Sequence, residues 1–477
     1  MKKIRTRFAP SPTGFLHIGG LRTALYSYLY AKKNGGDFVL RIEDTDQTRL
    51  VEGATELIYD TLRETGLIWD EGPDCGGPYG PYIQSERREI YKQYAEKLVE
   101  MGGAYYCFCD KERLESLTDE HGQRKYDKKC THLSNDEIAE KLKNGEPYVI
   151  RQNIPSFGST SYVDEVYGEV TFDYKDMEDN VLLKSDGMPT YNFANVVDDH
   201  LMGINVVMRG TEYLSSTPKY NLLYDSFGWE RPTYIHMPPI MKNSKEKLSK
   251  RHGDASYADF IKSGFIKEAI LNYIALLGWA PRENVEKMTF EKMMELFGVD
   301  GISKNPAIFD VVKMKWLNGE YFKQMSEEEF FDHALPYIEA SDAKDFDHKK
   351  LALLMKTRVE LLTEIPEKIN FLGHFDDFDL ELYTHKKSKT NPEVAKEVLP
   401  KCLEVLKDLE DWNTTAIHDV LMNLIASLEM KNATVLWCFR IAITGSAMTP
   451  GGAMEMADLL GRELTLARLE REIERLG

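Results

Sequence analysis

Residues 3–9 (KIRTRFA) read as a short strand. Pro10 and Pro12 end it, since proline cannot donate to a β-ladder, and Gly14 marks a turn. From Gly19 to about Lys33 the apolar residues of GGLRTALYSYLYAKK recur at helical spacing. Gly35-Gly36 closes that run, and FVLRIED follows as a second strand. Strand, loop, helix and strand in so short a length make a βαβ unit. Such a unit commits the chain to a parallel sheet, because parallel strands need a crossover that a hairpin cannot supply. It also sets the loop PSPTGFLHIGG at the amino end of a helix, where unpartnered N–H groups favour an anion, typically phosphate.

The chain has 477 residues, enough for roughly three domains and a sizeable core. With 42% hydrophobic and 29% charged residues, wholesale disorder and a fibrous fold are excluded. There is no run of about 18 apolar residues, so no membrane span is expected. The opening MKKIRTRFAPSPTG lacks the apolar core of a signal peptide. Six scattered cysteines are too few for a disulfide framework, and the expected compartment is the reducing cytoplasm. A net charge of -18 argues against whole-surface attraction to nucleic acid or anionic lipid, yet leaves room for a local basic track.

Residues 72–84 (GPDCGGPYGPYIQ) read as a long loop and 86–101 as a helix. From about 103 to 183 the character changes: two close ligand pairs, a Lys-rich stretch and short strand-like runs such as EPYVIRQNI and GEVTFDY. This stretch reads as an inserted domain. VLLKSDGMPTYNFANVVDDHLMGINVVMRG then returns to the first sheet. Residues 255–325 are mostly helical, and from about Met325 the chain alternates amphipathic helices with short breaks.

Three constellations carry chemistry. In the first loop, Gly19 and Gly20 would let a nucleotide lie against the backbone, and His17 could donate to a phosphate oxygen; an ordinary Gly-Pro turn with a surface histidine fits the same letters. Lys247, Lys250 and Arg251, in KNSKEKLSKRHG, suit a cationic clamp over phosphates, or simply a solvated basic loop. Cys107-x-Cys109 and Cys130-x-His132, about twenty residues apart, suit tetrahedral structural zinc, or buried thiols beside a surface histidine. Cys75, Cys402 and Cys438 are scattered and read as structural.

Together PSPTGFLHIGG and KLSKR resemble the HIGH and KMSKS signatures of class I aminoacyl-tRNA synthetases. RFAPSPTG, RIEDTD, GPYIQSER, LLKSDGMPTYNFANVVDDHLMG, STPKYNLLYDSFGW and KLSKRHG further resemble the bacterial type of glutamyl-tRNA synthetase, through most of the first 325 residues. Weaker echoes, RIAITGSAMTPG and DLLGRE, continue in the helical remainder. Departures are small: Gly20 stands at the fourth HIGH position, and KMSKS is KLSKR.

The resemblance implies a Rossmann-like α/β catalytic domain (1–88 and 184–240), an inserted α+β acceptor-binding domain with zinc (89–183), a KMSKS-loop and stem-contact domain (241–325), and an all-α anticodon-binding region (326–477). It implies ATP with Mg²⁺, L-glutamate and glutamate tRNA as reaction partners, and a monomer that meets no membrane. His17, Lys247 and Lys250 would be catalytic, with Gly19, Gly20 and Glu212 also at ATP. Arg7, Ala9, Ser11, Glu43, Tyr191, Asn195 and Arg209 would bind glutamate. Cys107, Cys109, Cys130 and His132 would hold one structural Zn²⁺, as in those family members that keep all four. Arg358, in MKTRVELL, falls where bacterial members carry an arginine tied to strict tRNA discrimination.

Competing identities are a glutaminyl-tRNA synthetase, which ends in β-barrels rather than helices, and an enzyme that also charges glutamine tRNA. A non-catalytic tRNA-binding paralogue should have lost His17 or Lys250. For RNA phosphates, basic residues cluster at Lys242 to Arg251, Lys304 to Lys315 and Arg124 to Lys129.

Overall fold

The computed structural model describes residues 2–118, 126–246, 248 and 256–477. The chain forms two compact units, Met1–Ile261 with Ile270–Asp310, and Lys262–Ala269 with Val311–Gly477.

The first unit opens with β1 (Arg5–Phe8), α1 (Ile18–Lys33) and β2 (Asp37–Leu40). β1 and β2 pair in parallel, Arg5 opposite Asp37 and Phe8 opposite Leu40. α1 buries Leu21, Ala24, Leu25 and Leu29, the spacing that a 3.6-residue period puts on one face. It ends at Asn34, and Gly35 turns the chain with φ 62°, a conformation that glycine adopts without strain. The chain continues through α2 (Ala54–Glu64), α3 (Arg88–Glu100), β3 (Ala104–Cys107), α4 (Lys111–Glu115), α5 (Asn135–Lys143), β4 (Val149–Gln152), β5 (Ser159–Asp164), β6 (Gly168–Asp173) and β7 (Val181–Leu183). Then come α6 (Tyr191–Leu201), β8 (Val206–Gly210), α7 (Thr217–Phe227), β9 (Thr233–Met237), β10 (Ile240–Met241), α8 (Tyr257–Lys262), α9 (Lys267–Leu276), α10 (Phe290–Leu296) and β11 (Ala307–Ile308).

β8 and β9 are parallel from Val206–Thr233 to Gly210–Met237. Asn205 N donates to Arg5 O at 3.2 Å and sets β8 beside β1. The parallel strands therefore run β2, β1, β8, β9, and the return to the first sheet expected near residue 206 takes place. β3, β4 and β7 form a separate antiparallel sheet. The β5–β6 hairpin, part of the stretch set apart as an insertion, joins β9 through Asp164 opposite Tyr234 and so edges the parallel sheet. α3, α6 and α7 share a core with Tyr91, Leu98, Phe193, Val197 and Leu223 buried.

The second unit is helical: α11 (Val311–Gln324), α12 (Glu327–Glu339), α13 (His348–Met355), α14 (Glu364–Ile369), α15 (Pro392–Lys407), α16 (Thr414–Ser427), α17 (Asn432–Thr444) and α18 (Ala453–Leu476). Ser326 and Glu329 form a reciprocal capping box at the start of α12, and Asn391 and Asn413 cap α15 and α16. Phe322, Phe330, Leu351, Leu399, Leu421, Phe439 and Leu469 are among its buried core. No strand occurs among the described residues of this unit, so the helical ending is as expected and the β-barrel alternative is not met. No helix among the described residues is long and apolar enough to cross a membrane.

Candidate active site

A cleft of about 800 Å³ opens beyond the carboxyl ends of β1 and β8. This is where an open parallel sheet leaves a crevice for ligands. The proline-rich loop and the first turn of α1 form one wall. Residues 208–213 form another, and Pro238 to Ile240 with Leu248 close a third side.

His17 is the N-cap of α1. Its Nδ1 accepts from Gly19 N at 3.1 Å, so the neutral ring carries its proton on Nε2 as a donor. A Cβ on Gly20 would meet Leu16 Cδ1 at 2.9 Å, whereas one on Gly19 would meet nothing closer than His17 Nδ1 at 3.5 Å. A side chain at 20 would press on the tip of Leu16, while at 19 the open space faces the cleft.

The floor is a buried ionic network. Arg7 Nε donates to Asp199 at 3.1 Å and its Nη1 to Met208 O. Arg41 Nη1 donates to Asp199 at 2.7 Å, and its Nε and Nη2 both reach Glu43 Oε1. Asp198 accepts from Arg87, Gln84 and Tyr91 and lies 3.7 Å from Arg41. Three arginines face three carboxylates, all buried, so the network is neutral as a set. Burial pushes the Glu43 carboxyl up despite Arg41 and Arg7; at Asp199 burial acts the same way but the two arginines outweigh it, and the pKa falls.

Arg209 stands apart from that balance. It is 5% exposed, and among the described residues no carboxylate ion-pairs with it. Its Nη2 donates to Thr217 Oγ1 at 2.7 Å and its Nε to His236 Nε2 at 3.2 Å. The rings of Tyr213, Tyr220 and Tyr234 surround the guanidinium at 4.8–5.3 Å. Burial lowers its pKa, and the neighbouring tyrosines and Asp199 more than reverse this, so it stays charged. Behind it, His236 Nδ1 meets Asp164 at 2.6 Å. The arrangement is a fixed cation facing a cleft, ready for one more negative charge.

Of the residues singled out from the sequence, Arg7, Ala9, Ser11, His17, Gly19, Gly20, Glu43, Tyr191, Arg209 and Glu212 line this cleft. Asn195 does not: it is buried, and its Nδ2 donates to Tyr191 O at 2.6 Å within α6. Lys247 and Lys250 lie outside the described residues. Leu248 between them lines the cleft, and Ser256 bridges to His17. Sequence reasoning missed Arg41, Asp198 and Asp199, although RIED and VVDD were quoted. Charged residues set among apolar ones were the signal.

A second constellation lies at β3. The sulfurs of Cys107, Cys109 and Cys130 all fall within 4.8 Å of one another. Hydrogen bonding from Cys130 and Tyr126 pulls the Cys107 thiol well below its ordinary pKa, favouring a thiolate. This donor set fits a soft divalent metal. His132, which closes the same 3-10 turn, is not part of that group. In the helical unit, Arg358 lines a cleft of about 990 Å³ with Trp316, Lys323, Phe371 and Met448. Its Nη1 is tied to Leu354 O at 2.8 Å.

The family described as tRNA synthetases class I (E and Q), catalytic domain, matches residues 3–316, and the anticodon binding domain family matches residues 329–473. The glutamate–tRNA ligase of Clostridium tetani is 57% identical over 478 residues, covering 99% of this chain and 98% of that protein. The one from Clostridium novyi is 55% identical over 479 residues, covering 100% and 98%. Among solved structures, a glutamate tRNA ligase from Elizabethkingia meningosepticum in complex with its amino acid superposes with TM-score 0.91 at 35% identity, covering 100% of both chains. The glutamate-tRNA synthetase of Elizabethkingia anophelis gives 0.89 at 34%, covering 99% of this chain and 100% of that one.

Proposed function

The chain belongs to the class I tRNA synthetases for glutamate and glutamine, and from that premise we infer that it is a glutamate–tRNA ligase. In the first step an α-carboxylate oxygen of glutamate bonds to the α-phosphorus of ATP, and pyrophosphate leaves. In the second a hydroxyl of the terminal adenosine of tRNA takes the glutamyl carbonyl, and AMP leaves.

The observation that carries the choice of amino acid is Arg209, a buried cation lining the cleft with no carboxylate ion pair among the described residues. The side-chain carboxylate of glutamate gives it a direct ionic partner. Glutamine is nearly isosteric and leaves that guanidinium without one. Arg209 thus receives the side-chain carboxylate, with Arg7 and Tyr191 beside it. Glu43 holds the ammonium, while Ala9 and Ser11 shape the wall. Asn195 holds the Tyr191 turn through its Nδ2.

On the ATP side the roles follow from position. The amino end of α1, bare at Gly19 and Gly20, receives phosphate, and His17 donates from Nε2. Glu212 faces the nucleoside. Lys247 and Lys250 bring cations to the charge that grows in the transition state. Mg²⁺ accompanies ATP and neutralises its phosphates. Little bond chemistry is left to the protein, whose work is positioning and charge stabilisation.

The finer assignments are part of the same proposal. Cys107, Cys109 and Cys130 hold one structural Zn²⁺ per chain in the acceptor-binding insertion (89–183). That insertion interrupts a catalytic domain (1–88 and 184–240), which is followed by a stem-contact domain (241–325). The helical region (326–477) reads the anticodon; Arg358 beside exposed Trp316 and Met448 suits stacking and hydrogen bonding of unpaired bases. The enzyme charges glutamate tRNA alone, acts as a monomer and works in the cytoplasm. The test is ATP–pyrophosphate exchange with tRNA present. Exchange driven by glutamate and not by glutamine is expected; equal exchange with both would overturn the pocket assignment.

A further inference from the structure

We propose that Asp164, in the β5–β6 hairpin, is a positioning residue for amino-acid specificity: it fixes the proton of His236 on Nδ1 and so makes Nε2 the acceptor that orients the Arg209 guanidinium. The proposal rests on Arg209 as the residue that receives the side-chain carboxylate of glutamate. A guanidinium has five N–H donors and no acceptor, so a ring nitrogen beside it helps only when that nitrogen carries no proton. Arg209 Nε lies 3.2 Å from His236 Nε2, and its Nη2 lies 2.7 Å from Thr217 Oγ1. Thr217 Oγ1 gives its own proton to Tyr213 O at 2.8 Å, so it meets Arg209 as an acceptor. His236 and Thr217 thus hold one edge of the guanidinium. Nη1 keeps no hydrogen-bond partner among the described residues, and Arg209 lines the cleft.

Asp164 ends β5, opposite Gly168 in β6 and Tyr234 in β9, and both it and His236 are buried. Its Oδ1 accepts from Val166 N at 3.0 Å and Tyr167 N at 2.9 Å. Its Oδ2 accepts from His236 N at 3.2 Å and stands 2.6 Å from His236 Nδ1. A carboxylate offers only acceptors, so the ring proton sits on Nδ1. Burial and the Arg209 charge keep the ring neutral against the pull of Asp164 and Glu212. An asparagine at 164 has the same shape but one donor. Turned toward Val166 and Tyr167, its amide nitrogen would face two N–H groups. Turned toward His236 it faces one and donates to Nδ1, so this orientation wins. The ring proton then moves to Nε2, where it opposes Arg209 Nε. A stretch of chain set apart as an insertion thereby supplies a residue to the glutamate pocket.

The experiment uses the full chain with tRNA present. Steady-state aminoacylation is measured for Asp164→Asn with glutamate and with glutamine. The KM for glutamate should rise about tenfold or more, with kcat and the KM for ATP within about threefold and glutamine almost unchanged. In a His236→Gln background no ring remains to change its tautomer, and the same Asp164→Asn step should add less than about threefold. Imidazole ¹⁵N spectra, with the His236 signal identified by its loss in His236→Gln, should show Nδ1–H in the unaltered protein and Nε2–H in Asp164→Asn. The unaltered protein gives its answer whether or not the variant folds. Nε2–H in the unaltered protein, unchanged discrimination in Asp164→Asn, or an equal rise in both backgrounds refutes the proposal; the last would make Asp164 a structural residue of the hairpin. Arg209→Leu is run alongside. If it keeps wild-type discrimination, the reading of Arg209 fails and this proposal with it; if it loses discrimination while Asp164→Asn does not, only this proposal fails.

Discussion

Glutamate and glutamine differ by a charge and almost no volume, so sorting them falls to electrostatics, and at the scale of single residues to Arg209. Replacing it with leucine removes the cation while keeping the cleft apolar. Arg209→Leu should lower kcat/KM for glutamate by about two to three powers of ten, the loss expected when one partner of a buried charge pair is removed, and should change glutamine far less. Steady-state aminoacylation with both amino acids reads this directly. His236 adds a pH dependence. Its Nε2 accepts from Arg209 Nε, which requires a neutral ring with the proton on Nδ1 toward Asp164. Burial depresses the His236 pKa below 6.5, with Arg209 adding to the effect and Asp164 opposing it. The unfolded chain then binds more protons just below that value, so the contribution of His236 to stability is present above pH about 6.5 and is lost as pH falls through the depressed pKa. The KM for glutamate should rise as pH falls through that depressed pKa, because a protonated ring can no longer accept from Arg209, and His236→Gln, whose amide oxygen still accepts, should flatten that rise. Much of the pocket was legible because its residues sit in long matching strings. The partners that hold them were not: Asp199 joins Arg7 across 192 positions, and no local pattern announces such a pair.

Among the elements, the loop after β10 carries the strongest expectation. Leu248 lines the cleft and Ser256 bridges to His17, so these two described residues stand beside the ATP wall. Lys250→Ala should slow glutamate-dependent ATP–pyrophosphate exchange roughly 100- to 1,000-fold while leaving the KM for glutamate within about threefold, the signature of a contact made in the transition state. The β3 region should respond to metal removal. With zinc stripped by a strong chelator, amide exchange should quicken at β3 and the turn Lys129–His132, while β1 and β2 stay protected. Equal protection with and without metal would make zinc dispensable there. Element boundaries were easiest to read where glycine and proline punctuate, as at Pro10 and Gly35. The β5–β6 hairpin was harder to place. Its second strand was legible in GEVTFDY, but its attachment to β9 depends on a long-range pairing between Asp164 and Tyr234 that composition does not encode.

For the molecule as a whole, a net charge of -18 has to coexist with a polyanionic partner. If tRNA is held by the local lysine and arginine clusters, neutralising phosphates releases counterions, and affinity must fall steeply with salt. Raising salt from about 50 to 200 mM should increase the KM for tRNA by at least tenfold, with a much smaller change for glutamate, whose carboxylate meets a buried cation screened little by ions. A KM for tRNA indifferent to salt would deny the basic clusters that role. The neutral set of arginines and carboxylates under the cleft also governs how this protein could be retargeted by laboratory evolution. Exchanging any one of Arg7, Arg41, Glu43, Arg87, Asp198 or Asp199 strands a buried charge, at about 3–5 kcal/mol, a large share of ordinary domain stability. A library selected for a neutral amino acid will therefore yield its first viable clones at Arg209 and its supports Thr217 and His236, and will enter the floor only through paired, charge-swapping steps.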